Sequence, residues 1–266
     1  MINVAINGAA GRMGQRLVAL ASESDELRLV AALERPDHPQ LGHDAGLLAG
    51  VGTLGVNVAR SWDQPPNVVI DFTHPRALAP LLDKASSDGV ALVVGTTGLG
   101  QAEHALLDAA AARVAVLQAP NTSLGVNVLF ALAGQVARQL GADYDIEILE
   151  AHHRFKADAP SGTALGLADA ICHATGRSVE RDVVHGREGQ QPRNPGEIGM
   201  HAMRLGDEVG RHVVSFGGLG EQIELAHRAT TRDVFVRGAL RAAQWIAHKP
   251  PGRYTMADVL GLSAAE

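Results

Sequence analysis

The sequence predicts an α/β protein in two parts: a doubly wound parallel sheet, and a smaller α+β part with a mostly antiparallel sheet. Three observations carry that prediction. Up to about residue 123, short apolar runs alternate with helical stripes, the rhythm of strand–helix–strand units. The first run, Ile2–Ile6, opens at once into glycines at positions 8, 11 and 14. Beyond residue 195 the period changes to two, in three segments separated by glycines, as in antiparallel strands with one wet face.

The totals bound the function classes. A chain of 266 residues has room for one large domain or two small ones with sizeable cores. Its 46% hydrophobic and 20% charged residues are ordinary for a globular protein in water. A net charge of −6 offers no electrostatic footprint for nucleic acid. The single cysteine, Cys172, excludes an intrachain disulfide framework and suits a reducing compartment; it falls on an apolar helical stripe and reads as core. The N-terminus lacks a basic segment followed by a long apolar run, so no signal peptide is expected. No run approaches the roughly 20 apolar residues of a membrane-spanning helix. A cytoplasmic protein without nucleic-acid or membrane partners is the expectation.

Taken in order, the chain begins with the strand Ile2–Ile6 and the loop Asn7-Gly-Ala-Ala-Gly-Arg-Met-Gly14. A helix over Gln15–Ser22 and a strand over Leu27–Leu33 follow, the latter ending in Glu34. Glycines between strand and helix allow a tight turn, close approach of backbone to a pyrophosphate, and tight helix-on-strand packing, the Rossmann-type dinucleotide fingerprint. Glu34 stands about 20 positions beyond the last glycine, where an acid bonds the adenosine ribose hydroxyls. Arg12 can lie over the pyrophosphate. Arg35, beside the acid, can accept the extra phosphate of NADPH, so the expected coenzyme is NADH or NADPH.

The rhythm continues with strands at Val68–Ile70, Val90–Val94 and Val114–Leu117, and helices over about 76–88 and 101–113. Each strand ends in a small or polar loop: Asp71-Phe-Thr-His-Pro75, Gly95-Thr-Thr-Gly98 and Ala119-Pro-Asn-Thr-Ser123. In an open parallel sheet those ends line the ligand crevice, which makes Gly95, Thr96 and Thr97 candidates for the nicotinamide end. Gly125–Leu140 then reads as a long apolar helix bridging the two parts.

The densest chemistry follows the half-buried strand Asp145–Leu149. His152, His153, Arg154, Lys156 and Asp158 fall within seven residues, and Pro160-Ser-Gly-Thr163 starts a helix whose stripe is Leu165, Ala168, Ile171 and Cys172. A helix N-terminus presents unpaired N–H groups and partial positive charge, which suit an anion. Cations upstream reinforce that choice, and a histidine can pass a proton near neutral pH. The stretch therefore reads as a site that grips an anionic small molecule and protonates it. Metal binding is not expected: adjacent histidines point to opposite sides of an extended chain, and no HExxH or Cys/His ligand spacing accompanies them.

Polar Arg177–Pro195 has no periodicity and reads as a mobile loop. The segments Ile198–Arg204, Arg211–Phe216 and Glu221–His227 should pair as hairpins, leaving a sheet face for solvent or a partner subunit. His201, His212 and His227 on them read as polar-face or packed residues. A closing helix with the stripe Phe235, Gly238, Ala239, Ala242, Trp245 and Ile246 returns to the first part.

Together these residues resemble the 4-hydroxy-tetrahydrodipicolinate (dihydrodipicolinate) reductase family of bacterial lysine and diaminopimelate biosynthesis, over nearly the whole chain. The resemblance rests on Gly8–Gly14, Glu34-Arg35, Asp71-Phe-Thr73, Gly95-Thr-Thr-Gly98, Asn121 with Ser123-Leu-Gly-Val-Asn127, and Glu150-Ala-His-His-Arg with Lys156, Asp158 and Pro160-Ser-Gly-Thr-Ala164. Phe155 stands where some members have a further histidine.

The resemblance implies a cyclic dicarboxylate substrate, hydride from NADH or NADPH, and a positioned acid that supplies a proton. By motif position His152 is that acid and Lys156 the cation assisting it. His153, Lys156, Ser161, Gly162 and Thr163 hold the carboxylates. The coenzyme falls to Gly8, Ala9, Ala10, Gly11, Arg12, Met13, Gly14, Glu34, Arg35, Phe72, Gly95, Thr96, Thr97, Ala119, Pro120 and Asn121. Residues 1–123 and 233–266 are expected to bind nucleotide. Residues 124–232 are expected to bind substrate and assemble homotetramers through their sheet, with the two parts closing over the ligands. The alternatives are another nicotinamide-dependent dehydrogenase of aspartate-derived amino-acid metabolism, and a non-catalytic dinucleotide sensor. The His152/Lys156 pair speaks against the sensor, which needs no proton donor.

Overall fold

The computed structural model describes residues 1–262. The expected nucleotide-binding part, 233–266, thus runs four positions beyond the described residues. The chain forms two compact units, Met1–Leu124 joined by the described residues from Asp233 on, and Gly125–Arg232.

In the first unit β1 (Ile2–Asn7) leads into α1 (Arg12–Ser22) and β2 (Leu27–Leu33). Short α2 (Ala45–Ala49) and β3 (Val58–Ala59) precede β4 (Val68–Asp71), α3 (Leu78–Asp88), β5 (Ala91–Val94), α4 (Gln101–Ala111) and β6 (Ala115–Gln118). After α5 (Leu124–Leu140), the second unit holds β7 (Asp145–His152), α6 (Gly162–Thr175), α7 (Val179–Asp182), β8 (Val183–His185), β9 (Ile198–Arg204), β10 (Gly210–Gly218) and β11 (Glu221–Ala229). The chain then returns to the first unit with α8 (Asp233–Ile246), β12 (Gly252–Tyr254) and α9 (Met256–Leu260).

The first sheet has seven strands in the order β12-β6-β5-β4-β1-β2-β3, with every neighbouring pair parallel. Its central strands are apolar on both faces because both faces are covered. Val4, Ile6, Ile70 and Val93 pack with α1 and α8; Ala5, Val69, Leu92 and Val94 pack with α3 and α4 on the other side. Helix α8 returns here and packs on β4, β5, β6 and α1 with Gly238, Ala239, Ala242 and Ile246 of the predicted stripe buried, together with Val236, Leu240 and Ala243, whereas Phe235 and Trp245 are half-buried. The strand order reverses direction between β1 and β4, the place where open α/β sheets part to form a crevice. Asn7 lies opposite Asp71 at that point.

The second sheet corrects two expectations. Its order is β11-β10-β7-β9-β8, and it is mixed rather than mostly antiparallel: β11–β10 and β10–β7 are antiparallel, β7–β9 and β9–β8 parallel. Only β10 and β11 form the expected hairpin. β9 lies on the far side of β7, because the connection from β7 runs through α6 and such crossovers yield parallel neighbours. Arg177–Pro195, expected as an unstructured loop, contains α7 and β8, elements of four and three residues, too short to show a period. Ile146, Ile148, Ile198, Met200, Val214 and Phe216 form one face of this sheet and pack on α5 and α6.

Candidate functional site

In the first unit five of the candidate coenzyme residues, Gly8, Gly11, Glu34, Arg35 and Phe72, line one cleft. Gly8 has φ +83°, and a Cβ there would lie 3.0 Å from the Phe72 carbonyl oxygen. A Cβ on Gly14 would meet the Gly8 carbonyl oxygen at 2.0 Å, so α1 sits this close to the loop only because position 14 is glycine. The loop spends its own donors: Gly8 and Ala9 N–H donate to the Leu33 carbonyl, Ala10 N–H to Glu34 Oε1 at 3.2 Å, and Gly11 N–H to the Gly8 carbonyl. What remains for an anion is the first turn of α1, from Arg12 to Gly14. The cap residue Gly11 offers no side chain to satisfy that turn, and no acidic residue lies in it.

A cleft of about 950 Å³ opens beside this turn, lined among others by Gly8, Gly11, Glu34, Arg35, Arg60 and Phe72. The Glu34 carboxylate faces it while also accepting from Ala10 and Arg35 N–H groups. Arg35 is exposed and paired with Asp37. Phe72 lies across Gly95, where a Cβ would fall 2.4 Å from its ring. Ala119 is buried, Pro120 and Thr97 exposed. Thr96 is not a free hydroxyl at the crevice. It is buried, donating to Asp71 Oδ2 at 2.5 Å and accepting from Thr73 N–H. Burial pushes the Asp71 carboxyl up, against the hydrogen bonds from Thr96, Thr73 and Asn7. This network, invisible in the sequence, ties the ends of β1, β4 and β5 together.

In the second unit β7 delivers Glu150 and His152 to the same sheet face, two residues apart. Glu150 is fully buried. Its Oε1 accepts from Arg204 Nη2 at 2.8 Å and Ser161 N–H at 3.0 Å; its Oε2 accepts from Arg204 Nη1 at 2.9 Å and meets His152 Nδ1 at 2.6 Å. Burial alone would raise its pKa, but the bonds from Arg204 and His152 prevail and hold it below the ordinary carboxylate range. His152 is itself lowered by burial, against the raising influence of Glu150. Lys156 holds Asp158 through both carboxylate oxygens at 2.8 Å and keeps that carboxyl low.

Ser161 caps α6, its Oγ accepting from Ala164 N–H at 3.2 Å and meeting His212 Nε2 at 3.2 Å. Since its N–H serves Glu150, Ser161 is an internal brace; of the rest of the expected cradle, Gly162 is exposed and Thr163 half-buried. His153 follows His152 with its Nδ1 buried and unpartnered among the described residues. Burial, with His152 beside it, pushes His212 down to about 4.

Sequence reasoning had no role for Arg204, Glu150 or His212 here. The strand register brings them together: Glu150 lies opposite His212 on one side and Ala202 on the other. His212 is indeed packed, but against the site. His201 pairs with Glu147 at 2.6 Å, away from it.

Such an arrangement can hold a dinucleotide in one unit, and in the other an anion beside a histidine whose proton is under electrostatic control. Two family models match the chain: dihydrodipicolinate reductase, N-terminus, over residues 2–122, and dihydrodipicolinate reductase, C-terminus, over 125–260. The 4-hydroxy-tetrahydrodipicolinate reductase of Alkalilimnicola ehrlichii is 50% identical over 97% of this chain and 98% of its own length. That of an Anaeromyxobacter species is 49% identical over the full length of both. Among solved structures, a dipicolinate-bound dihydrodipicolinate reductase from Paenisporosarcina sp. TG-14 superposes with TM-score 0.75 at 25% identity, covering 97% of this chain and 98% of that one. A myo-inositol dehydrogenase from Corynebacterium glutamicum shares the fold at TM-score 0.60 and 14% identity, covering 98% of this chain and 93% of its own.

Proposed function

The chain belongs to the dihydrodipicolinate reductase family, and we propose how its residues divide the work of that activity. It reduces the cyclic dicarboxylate 4-hydroxy-tetrahydrodipicolinate to tetrahydrodipicolinate, in lysine and diaminopimelate biosynthesis. The first unit takes the coenzyme, NADH or NADPH, and the second the substrate. The observation that carries the reading is the buried Glu150–His152 contact beside the N-terminus of α6, a proton donor set next to an anion site.

The coenzyme fits the first unit on steric grounds. Gly14 has no room for a methyl group, and the uncapped first turn of α1 offers backbone donors to a pyrophosphate. Gly8–Gly14 hold that pyrophosphate and Glu34 the ribose, with Phe72, Gly95, Thr97 and the Ala119–Asn121 loop shaping the crevice beyond. Arg35 gives up Asp37 to meet the extra phosphate of NADPH. The coenzyme supplies the hydride.

The remaining work is done by the second unit. Gly162, Thr163 and His153 hold the carboxylates at the positive end of α6. His152, as the imidazolium, gives its Nε2 proton as the ring accepts the hydride, and the 4-hydroxyl group leaves as water, so that substrate, hydride and proton balance product and water. Lys156, released from Asp158, balances the negative charge. We assign homotetramers to this family member, assembled through the sheet face away from α5 and α6, where Leu149, Ala151 and Met203 lie; sedimentation gives that mass directly. A cytoplasmic site of action agrees with one buried cysteine and a biosynthetic role.

The test is coenzyme oxidation on adding the cyclic dicarboxylate, made fresh from pyruvate and aspartate semialdehyde, with NADH and NADPH compared. Rapid oxidation is expected. No oxidation, with coenzyme bound and substrate formation verified, overturns the reading.

A further inference from the structure

We propose that Glu150 is a positioning residue for the reaction: it fixes His152 with a hydrogen on Nδ1, so that Nε2 is the nitrogen whose proton is transferred, and it ties that histidine to the N-terminus of α6. The inference rests on the assignment of His152 as the acid.

An ionised carboxylate has about four lone-pair sites and no hydrogen to give. In Glu150 all four are engaged: two by the Arg204 guanidinium, one by Ser161 N–H, one by His152 Nδ1. The carboxylate is fully buried, and its hydrogen bonds hold it ionised. Nδ1 must therefore be the donor, in the neutral ring as in the imidazolium. A proton gained or lost between those forms sits on Nε2. Gly210 keeps that nitrogen clear, since a Cβ at 210 would come within 3.2 Å of it.

Burial lowers the His152 pKa most, and charged groups from the surrounding elements act on it further. Glu150 on its own strand raises the pKa; Arg204 on β9 and Lys156 in the following loop lower it, Lys156 being partly neutralised by Asp158. On β10, His212 meets the His152 ring edge-on, centroids 5.1 Å apart, and His227 on β11 stands next in line. Ser161 at α6 is bonded to both Glu150 and His212. Glu150 is the nearest anion in this set. Because it also accepts from the first residue before α6, an anion bound at the helix and the proton on Nε2 are linked through one buried charge.

The experiment uses the full chain. In Glu150→Gln the anion is lost but the shape is kept. The alkaline limb of kcat/KM, which reports the acid of the free enzyme, should move down by about one pH unit, and kcat at pH 7 should fall roughly 10- to 100-fold. Coenzyme affinity should not change. A purely structural brace would lower yield or stability and leave the limb where it was, and that result overturns the inference. Should Glu150→Gln not fold, nitrogen NMR on the wild-type protein decides, with His152 assigned by loss of its signals in His152→Gln. The neutral ring is expected protonated at Nδ1; a hydrogen at Nε2 overturns the proposal. Full turnover by His152→Ala would instead remove the assignment of the acid. An inactive His152→Ala beside a Glu150→Gln with wild-type pH behaviour would remove this inference alone.

Discussion

The proposed coenzyme and substrate sites each use a helix N-terminus, and the two are built in opposite ways. At α1 the site is made by leaving atoms out. Its cap residue Gly11 has no side chain, Gly14 has no room for one, and the loop's own donors are taken up by Leu33, the Glu34 carboxylate and Gly8. At α6 the site is made by adding charge. Ser161 caps the helix, and behind it stand Glu150, Arg204, His152 and His212, contributed by β7, β9 and β10. A pyrophosphate needs close approach and fixed dipoles, which bare backbone supplies. A proton transfer needs a group whose charge changes at the working pH, and only a buried set of partners can tune that.

The sharpest way to break the comparison is His152→Ala. If proton transfer belongs to the second unit alone, kcat falls by about 10²- to 10⁴-fold. Coenzyme affinity, read by nucleotide fluorescence, stays within about twofold. Parallel loss of coenzyme binding would erase the division between the two termini.

Next in size is Gly14→Ala, the converse change. The added methyl meets a carbonyl oxygen and cannot be relieved by a rotamer, so about 1–3 kcal/mol of stability should be lost in the first unit. Coenzyme affinity should weaken by tenfold or more. Both tryptophans, Trp62 and Trp245, belong to the first unit, so their fluorescence reports its unfolding. A Gly14→Ala protein with unchanged coenzyme affinity would refute the steric account.

Acidity should separate the units as well. His212 is lowered to about 4, against roughly 6.5 when unfolded, so the unfolded chain takes up the proton first as pH falls. The stability this group contributes is complete above about 6.5 and is lost on the way down to 4, on the order of 3 kcal/mol. Asp71 in the first unit has the opposite sign: its raised pKa means that it takes up a proton more readily folded than unfolded, so acid relieves a buried charge. Amide exchange in β7 and β10, corrected for intrinsic rates, should accelerate over that pH range before tryptophan fluorescence changes. His212→Gln should flatten the trend. Simultaneous loss of both signals in the wild type would count against it.

The smallest effect is expected of Ser161→Ala. The backbone N–H still reaches Glu150, so only the cap to Ala164 and the contact with His212 are lost, costing about 1 kcal/mol with coenzyme binding unchanged. A collapse of turnover beyond about tenfold would show that the hydroxyl itself meets substrate.

Local pattern was enough to read the parallel sheet, the glycine loop with its acid at Glu34, the long helices and the stretch from Glu150 to Thr163, because each is written in neighbouring residues: a period, a missing side chain, a cap. Tertiary structure decided the rest. The parallel pairing of β9 with β7 depends on which edge a crossover reaches. The Thr96 hydroxyl is claimed by the buried Asp71, a partner 25 positions away. Above all, Arg204 and His212 lie 54 and 62 positions beyond Glu150 in the sequence, a separation that a strand register closes and no local pattern records. The proton on His152 is governed by that register, since the charge that controls it is set by partners the chain brings back from elsewhere.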